Sequence, residues 1–129
     1  MAPIILIVED SPQMASNLEI ALASLDRLDV RVVGSAVEAI AILDSSVQSI
    51  SAVITDIEMP RMNGFELIRR MRALPRYSRT PIIVSSGSSD PESPARAQAL
   101  GANAYFTKPY SPLELRRKLE LLLSEKKNE

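Results

Sequence analysis

The stretch that decides the fold is Ile4-Ile5-Leu6-Ile7-Val8-Glu9-Asp10-Ser11-Pro12. Its aliphatic run is mostly β-branched, which favours a strand over a buried helix. Because no polar residue interrupts the run, both faces of that strand must be covered, as in a parallel sheet between two layers of helices. Ser11-Pro12 has the form of a helix start, with a capping hydroxyl followed by proline in the first turn. The stretch therefore predicts a central strand, an acidic pair at its carboxyl end and a helix directly after it.

The rest of the chain repeats this alternation of strand and helix. Further short apolar runs occupy residues 30–33, 52–54, 82–84 and 104–106. Five strands that alternate with five helices predict an α/β fold, because right-handed crossovers then place helices on both faces of one open parallel sheet. No linker, repeat or low-complexity tract divides the chain, so we expect one domain over residues 1–129.

The helices after the first strand–helix unit carry their own start and stop signals. Ser35 and Ser111 each begin a capping box, with a glutamate three residues later. The helix after Ser35 is expected to bury three apolar side chains: Val37, Ile40 and Leu43. Another helix is expected near residues 64–74. An alanine-rich helix is expected over residues 90–100, with Pro91 and Pro94 in its first turn and Gly101 as its C-terminal cap.

Composition removes several classes of function. The chain has 129 residues, 15 basic and 16 acidic side chains, and neither histidine nor cysteine. Imidazole and thiolate metal sites and Ser-His or Cys-His catalysis are therefore excluded. A net charge of −1 predicts no direct binding of nucleic acid, and the longest aliphatic run is too short to span a membrane. With no signal peptide at the N-terminus, the sequence predicts a cytoplasmic protein without membrane attachment.

Polar side chains follow the strands where their carboxyl ends share one edge of the sheet. The carboxylates are Glu9, Asp10 and Asp56, followed along the chain by the hydroxyls of Ser85 and Ser86 and by the ammonium of Lys108. Two carboxylates ~4 Å apart repel by about 4 kcal/mol at an effective dielectric near 20, so such a cluster either takes up protons or holds a cation. Oxygen ligands without imidazole or thiolate favour Mg²⁺, or Mn²⁺ in its place.

Four segments together resemble the receiver domain of two-component response regulators: Glu9-Asp10, DIEMPRMNG at 56–64, PIIVSSG at 81–87 and GANAYFTKP at 101–109. They occur in the expected order, each at the end of a predicted strand, and the resemblance covers the whole chain. It implies a flavodoxin-like, CheY-like fold, a doubly wound five-stranded parallel sheet flanked by five helices.

The resemblance also implies a role for each matching residue. Asp56 would accept a phosphoryl group, and the metal ligands would be Glu9, Asp10, Asp56 and the backbone carbonyl of Glu58. Lys108 would pair with Asp56 and then with a phosphoryl oxygen, while Ser86 and Tyr105 would form the switch. Such a domain is no enzyme in the usual sense, since it catalyses only its own phosphotransfer and autodephosphorylation.

The implied donor is a histidine kinase or phosphotransfer protein, and the implied output is binding of a downstream protein to the surface of the fourth helix, fifth strand and fifth helix. The regulator would be a monomer or a phosphorylation-dependent dimer, and the length of the chain favours a stand-alone receiver. A phosphorelay intermediate and a receiver excised from a larger hybrid kinase or multidomain regulator stay open as alternatives.

Three blander interpretations also stay open. Tyr105 is either a switch residue or ordinary packing in a strand. Leu113 and Leu121 belong either to a partner surface or to simple packing at the end of the last helix. The basic cluster of Arg69, Arg70 and Arg72 is either a solvated helix face or a docking patch.

A phosphatase with an aspartate nucleophile is disfavoured, because Glu58 stands where those enzymes usually carry a second aspartate. A degenerate receiver used only as a scaffold is also disfavoured, since every required side chain is present.

Overall fold

Parallel strands form one sheet in the order β2-β1-β3-β4-β5. The computed structural model describes residues 2–25, 27–45 and 47–127, without the side chains of residues 126 and 127. The elements are β1 Ile4–Val8, α1 Pro12–Ala23, β2 Asp29–Val33, α2 Ala36–Ser45, β3 Ile50–Thr55, α3 Gly64–Ala73, a short 3₁₀ helix Pro75–Tyr77, β4 Ile82–Ser86, α4 Ser93–Leu100, β5 Ala104–Thr107 and α5 Pro112–Lys127. The strand order reverses between β1 and β3, which makes the crevice at their carboxyl ends the favoured ligand site of this fold.

Helices cover both faces of the sheet, as the uninterrupted apolar runs predict. On β1, Ile4, Leu6 and Val8 join the core cluster that includes residues of α2, α3 and α4. Ile5 and Ile7 point the other way and join the cluster formed with α1 and α5. Because successive strand residues face opposite sides, a strand between two helix layers needs apolar residues at every position. The predicted α/β fold with a doubly wound sheet is therefore confirmed.

The predicted helix starts are also confirmed. The Ser11 hydroxyl accepts a hydrogen bond from the Met14 N–H at 3.4 Å, and the Ser35 hydroxyl accepts one from the Glu38 N–H at 3.1 Å. Each bond satisfies a backbone donor that the first turn of a helix leaves without an intrahelical partner. The Glu38 carboxylate departs from the usual capping box, since it accepts from the N–H of Gly34.

Two local predictions are wrong. Val37 is 45% exposed, and the buried face of α2 consists of Ala36, Ala39 and Leu43. Positions three and four apart share a helix face, so a face that begins at the first residue of α2 leaves the second residue in solvent. Pro91 was expected in the first turn of α4, but this helix begins at Ser93 and Pro91 lies in the preceding turn.

The end of α4 follows the prediction. Gly101 has a φ of 114° and caps the helix, a conformation that residues with a Cβ adopt only with strain. In the part of the chain that the structure describes, no helix is both long and apolar enough to cross a membrane.

Candidate functional site

Three carboxylates meet at the crevice between β1 and β3. Glu9 and Asp10 directly follow β1, and Asp56 directly follows β3. One carboxylate oxygen from each lies within 4.8 Å of the others. Glu9 and Asp56 are buried, whereas Asp10 is exposed. The sheet predicted from the sequence thus brings together three carboxylates from two separate loops.

Backbone bonds at the ends of the strands hold these loops in place. The N–H of Glu9 donates to the Val33 carbonyl at 3.0 Å, and the N–H of Asp56 donates to the Val8 carbonyl at 3.0 Å. The site therefore begins on the last rungs of the sheet, where the backbone is fixed by its neighbours. Groups held in this way need little rearrangement when they react or bind.

Lys108 completes the cluster from the carboxyl end of β5. Its ammonium donates to Glu9 Oε1 at 2.7 Å and to Asp56 Oδ2 at 3.2 Å. The Lys108–Pro109 peptide bond is cis, and the N–H of Lys108 donates to the Ser86 carbonyl at 2.7 Å. The sequence predicted the pairing with Asp56 but missed the shorter bond to Glu9.

The pKa values reflect this crowding. Burial raises the pKa of Glu9, and the charge of Asp56 adds to the effect, although hydrogen bonds from Lys108 and from the N–H of Ser11 partly offset it. Burial by itself would lower the pKa of Lys108. Its bond to Glu9 and the two carboxylate charges outweigh burial, so that pKa is raised. The ammonium of Lys108 therefore stays charged, while the buried carboxylate of Glu9 is costly to ionise.

The loop after Asp56 folds back over that residue. Asp56 Oδ1 accepts from the N–H of Ile57 at 2.7 Å and from the N–H of Glu58 at 3.3 Å, which leaves Oδ2 for Lys108. The N–H of Gly64 donates to the Ile57 carbonyl at 2.9 Å. A Cβ on Gly64 would lie 2.2 Å from the Asp56 carbonyl oxygen, so only glycine permits this approach.

The donor set suits a hard divalent cation. Three carboxylates face one ammonium, which leaves a local excess of two negative charges. Oxygen ligands are those preferred by Mg²⁺ and Mn²⁺, and the acidic cluster indicates a divalent metal site. The Glu58 side chain is exposed, and a ligand role for its backbone carbonyl stays a prediction.

The two serines at the end of β4 face opposite sides of the sheet. Ser86 is fully buried, and its hydroxyl oxygen accepts from the N–H of Ser88 at 3.0 Å. Ser85 points to the other face, where the hydroxyl of Tyr110 bonds to it. Ser86 therefore shares its face of the sheet with Val84, which packs in the same core cluster as Ala97 of α4.

Tyr105 lies on the same face as Ser86. It pairs with Val84 in the sheet register and lines a groove of about 350 Å³ between α4 and β5. Its hydroxyl is buried, and no described residue forms a hydrogen bond with it. The ring is only half-buried, so packing and a switching role both stay compatible with its position.

Sequence reasoning missed two residues near the site. The Ser93 hydroxyl, at the start of α4, lies 3.3 Å from the Ser88 hydroxyl, so a chain of hydrogen bonds links Ser86 to that helix. Burial raises the pKa of Tyr110, which packs against Phe106 with the ring centroids 5.9 Å apart. The position of Tyr110, two residues after Lys108, is the one signal in the sequence that pointed to it.

Comparison with known proteins gives a consistent result. A family model described as the response regulator receiver domain matches residues 5–120. Chemotaxis protein CheY1 of Helicobacter pylori is 34% identical over 119 residues, which cover 92% of this chain and 95% of that protein.

Two solved structures are also similar. A CheY-like receiver domain protein from Methanospirillum hungatei has a TM-score of 0.88 at 25% identity, with 99% of this chain and 98% of that one covered. The receiver domain of a signal transduction histidine kinase from Syntrophus aciditrophicus has a TM-score of 0.85 at 33% identity, with 96% and 92% covered.

Proposed function

Because the chain belongs to the response regulator receiver domain family and has a two-component signalling role, we propose that it is a switch operated by phosphorylation of Asp56. The observation that carries the proposal is the position of this carboxylate at the strand-order reversal, within 4.8 Å of two other carboxylates and bonded to Lys108. An oxygen of Asp56 attacks the phosphorus of a phosphohistidine, the P–N bond breaks, and the released imidazole nitrogen takes up a proton. The chain has no histidine, so the donor is a histidine kinase or phosphotransfer protein.

Glu9, Asp10, Asp56 and the backbone carbonyl of Glu58 would hold Mg²⁺, or Mn²⁺ in its place. The bound cation would neutralise charge on the phosphoryl group, which is the main requirement of phosphoryl transfer. The local excess of two negative charges supports this assignment.

Lys108 contributes a positive charge to the site, beside Glu9 and Asp56. Its ammonium bridges Glu9 and Asp56 before transfer, and we assign it to a phosphoryl oxygen afterwards. Since it also holds Glu9, it need not leave the site when it changes partner. Half-buried charges attract more strongly than exposed ones, so this contact favours the phosphorylated state.

The Ser86 hydroxyl is proposed to sense the phosphoryl group. Its oxygen already accepts from Ser88, so its O–H remains able to donate to a phosphoryl oxygen. Movement of this serine would shift the loop to α4 and the environment of Tyr105. The phosphoryl group then biases an equilibrium between two arrangements through contacts that only one of them offers.

The output surface is proposed to consist of α4, β5 and α5. Leu113 and Leu121 on α5 are 50% and 51% exposed, which supports a role in contacting a downstream protein. Like other CheY-like receivers, the protein would act through a kinase and a downstream target, in the cytoplasm, as a monomer or a phosphorylation-dependent dimer. Its only catalysis would be its own phosphotransfer and autodephosphorylation.

The second candidate function is a phosphorelay intermediate or the receiver of a larger hybrid kinase. The similarity to the receiver domain of a Syntrophus histidine kinase favours keeping it. A relay protein returns its phosphoryl group rapidly to a phosphotransfer partner, whereas a terminal switch retains or hydrolyses it.

The test is phosphorylation by a small-molecule phosphodonor with Mg²⁺, read by intact mass and by partner binding. We expect the wild type to gain one phosphoryl group and Asp56→Asn to gain none. Asp44→Asn, which removes an exposed carboxylate of α2, is the matched control and should behave as the wild type. Phosphorylation of Asp56→Asn to the wild-type extent would refute the proposal.

A further inference from the structure

A groove lined by arginines runs between α3 and α4, outside the acidic site. Its volume is about 620 Å³, and its walls come from the loop before α3, from α3 itself and from α4. Its charged side chains are four arginines and one glutamate: Arg61, Arg69, Arg70, Arg96 and Glu66. They leave an excess of three positive charges in a chain whose net charge is −1. The positive charge at this groove is therefore a local concentration that the overall composition conceals.

Most of this charge is not neutralised within the molecule. Glu66 is occupied by Arg69, which donates to both of its carboxylate oxygens, at 2.8 and 2.6 Å. Within residues 2–25, 27–45 and 47–125, whose side chains the structure describes, Arg61, Arg70 and Arg96 form no ion pair. All three are exposed, so their guanidinium groups remain able to bind an acidic partner.

The side chain of Arg96 is positioned by contact with an aromatic ring. Its guanidinium lies over the ring of Phe65, 4.2 Å from the centroid, and that ring is 7% exposed. Stacking uses the face of a guanidinium and leaves the N–H groups at its edge to bind a carboxylate. An arginine oriented in this way loses less side-chain entropy when a partner binds.

The loop after the phosphoacceptor places Arg61 on the same groove. Its φ of 70° is the one positive value among the described residues other than glycine. Such a conformation costs about 1–2 kcal/mol, and it persists only where the surroundings require it. Arg61 in this conformation lines the same groove as Arg96 of α4.

We propose that this groove is a docking site for an acidic, partly apolar segment of a partner protein. Arg61 precedes α3, whereas Arg70 lies about 9 Å along the helix axis from Gly64, the first residue of α3, so the arginines are spread along the groove. Carboxylates six residues apart on a helical peptide are also separated by about 9 Å along its axis, whereas a compact anion engages only one part of such a row. The apolar lining, which includes Phe65 and Leu100, fits side chains between those carboxylates.

Nucleic acid fits this groove less well. A protein that binds nucleic acid through its backbone typically makes about 6–10 phosphate contacts. Four guanidinium groups line this groove, and Glu66 already neutralises one of them. A peptide that carries a few carboxylates therefore matches the number of available charges better.

The groove is distinct from the output surface proposed above. Arg96 and Leu100 face it from one side of α4, whereas Ala95 and Gln98 line the groove toward β5 and Tyr105. The proposal needs no phosphorylation of Asp56, so the two surfaces can be tested separately.

The test uses two synthetic peptides of equal length. One repeats Glu and Leu at helical spacing, and the other carries Gln in place of every Glu. Binding is measured by fluorescence anisotropy at low and high salt, and the site is mapped by amide NMR shifts. We expect the Glu peptide to bind at least tenfold more tightly than the Gln peptide, to weaken with salt, and to shift amides of α3 and α4.

The variants are Arg70→Gln, Arg96→Gln and their combination, with Arg117→Gln on an exposed site of α5 as the matched control. Each groove variant should weaken binding at least about threefold and the control should not, while Asp56→Asn should bind as the wild type. Because Arg70 has no ion pair among the described residues, its replacement tests charge without disturbing the fold.

Equal binding of the two peptides, or no binding of either, would overturn the proposal. A control variant that weakens binding as much as the groove variants would do the same. If a single-stranded oligonucleotide or a nucleoside triphosphate bound more tightly than the Glu peptide, the groove would be a site for that ligand and the proposed peptide partner would be wrong. Loss of phosphorylation in Asp56→Asn with peptide binding retained would leave the groove proposal intact.

Discussion

Replacing Asp10 by asparagine should stabilise the metal-free protein, although it removes a residue of the candidate site. One oxygen of Asp10 lies within 4.8 Å of an oxygen of Glu9 and of one from Asp56. At this distance two charges repel by about 0.9 kcal/mol in a water-like medium and by about 3.5 kcal/mol at an effective dielectric of 20. Lys108 neutralises one of the two neighbouring carboxylates, so Asp10 faces one uncompensated charge.

Asp10 is exposed, so the smaller figure applies. We expect Asp10→Asn to raise the free energy of unfolding by about 1 kcal/mol without metal, and the Tm by about 4 °C. Wild-type protein should gain about 1.4 kcal/mol at an Mg²⁺ concentration ten times its Kd, while the variant gains almost nothing. The assay is thermal unfolding with EDTA and with increasing Mg²⁺, for wild type and variant at equal ionic strength.

The matched control is Asp44→Asn, which removes an exposed carboxylate of α2 that does not belong to the cluster and should change stability by less than about 0.5 kcal/mol. The electrostatic reasoning fails if Asp10→Asn lowers the Tm without metal. The metal assignment fails if Mg²⁺ stabilises this variant as much as it stabilises the wild type.

Three further predictions concern the loop after Asp56, the hydrogen bonds of Arg72 and the lifetime of the phosphoryl group. Gly64→Ala should destabilise the protein by about 1–3 kcal/mol and slow phosphorylation, because its Cβ would lie 2.2 Å from the Asp56 carbonyl oxygen. Urea unfolding measures the stability and intact mass measures the phosphorylation. Unchanged stability together with unchanged phosphorylation would contradict the prediction. Arg72→Leu should lower the free energy of unfolding in urea by about 3 kcal/mol, since the guanidinium donates to the Gly101 carbonyl at 2.7 Å and to the Tyr77 carbonyl at 2.9 Å. A loss below about 0.5 kcal/mol would show that water replaces those bonds. Changing Glu58 or Ser88, two residues past the phosphoacceptor and past the switch hydroxyl, should alter the dephosphorylation rate more than the phosphorylation rate; equal effects on both rates in stopped-flow and decay measurements would count against it.

Much of the fold was readable from local sequence. The uninterrupted apolar run of β1 required a sheet covered on both sides, and the cluster membership of Ile4 and Ile5 shows both coverings. Ser11 marked the start of α1, since a hydroxyl before the first turn satisfies a backbone N–H there. Patterns of this kind depend on near neighbours in the chain, so they can be recognised in the sequence without a tertiary structure.

Predictions of side-chain direction were less successful. Val37 was expected in the core but is exposed, because the rotation of α2 against the sheet is set by packing along the whole helix. The two serines ending β4 were correctly placed on opposite faces, since the twofold alternation of a strand is a local property. The sequence also indicated a basic cluster on α3, but its relation to Arg96 on α4 came only from the packing of the two helices.

The sequence by itself determined the alternation of strands and helices, the polar residues that follow each strand, and the absence of histidine from the chain. The tertiary structure decided how those polar residues pair. Lys108 bonds to Glu9 across 99 positions of the chain and to Asp56 across 52, and the shorter of these bonds is the one that sequence reasoning missed. The physical reason is that a strand pattern places a side chain at an edge of the sheet, whereas a distance between two side chains depends on register, loop closure and rotamer together.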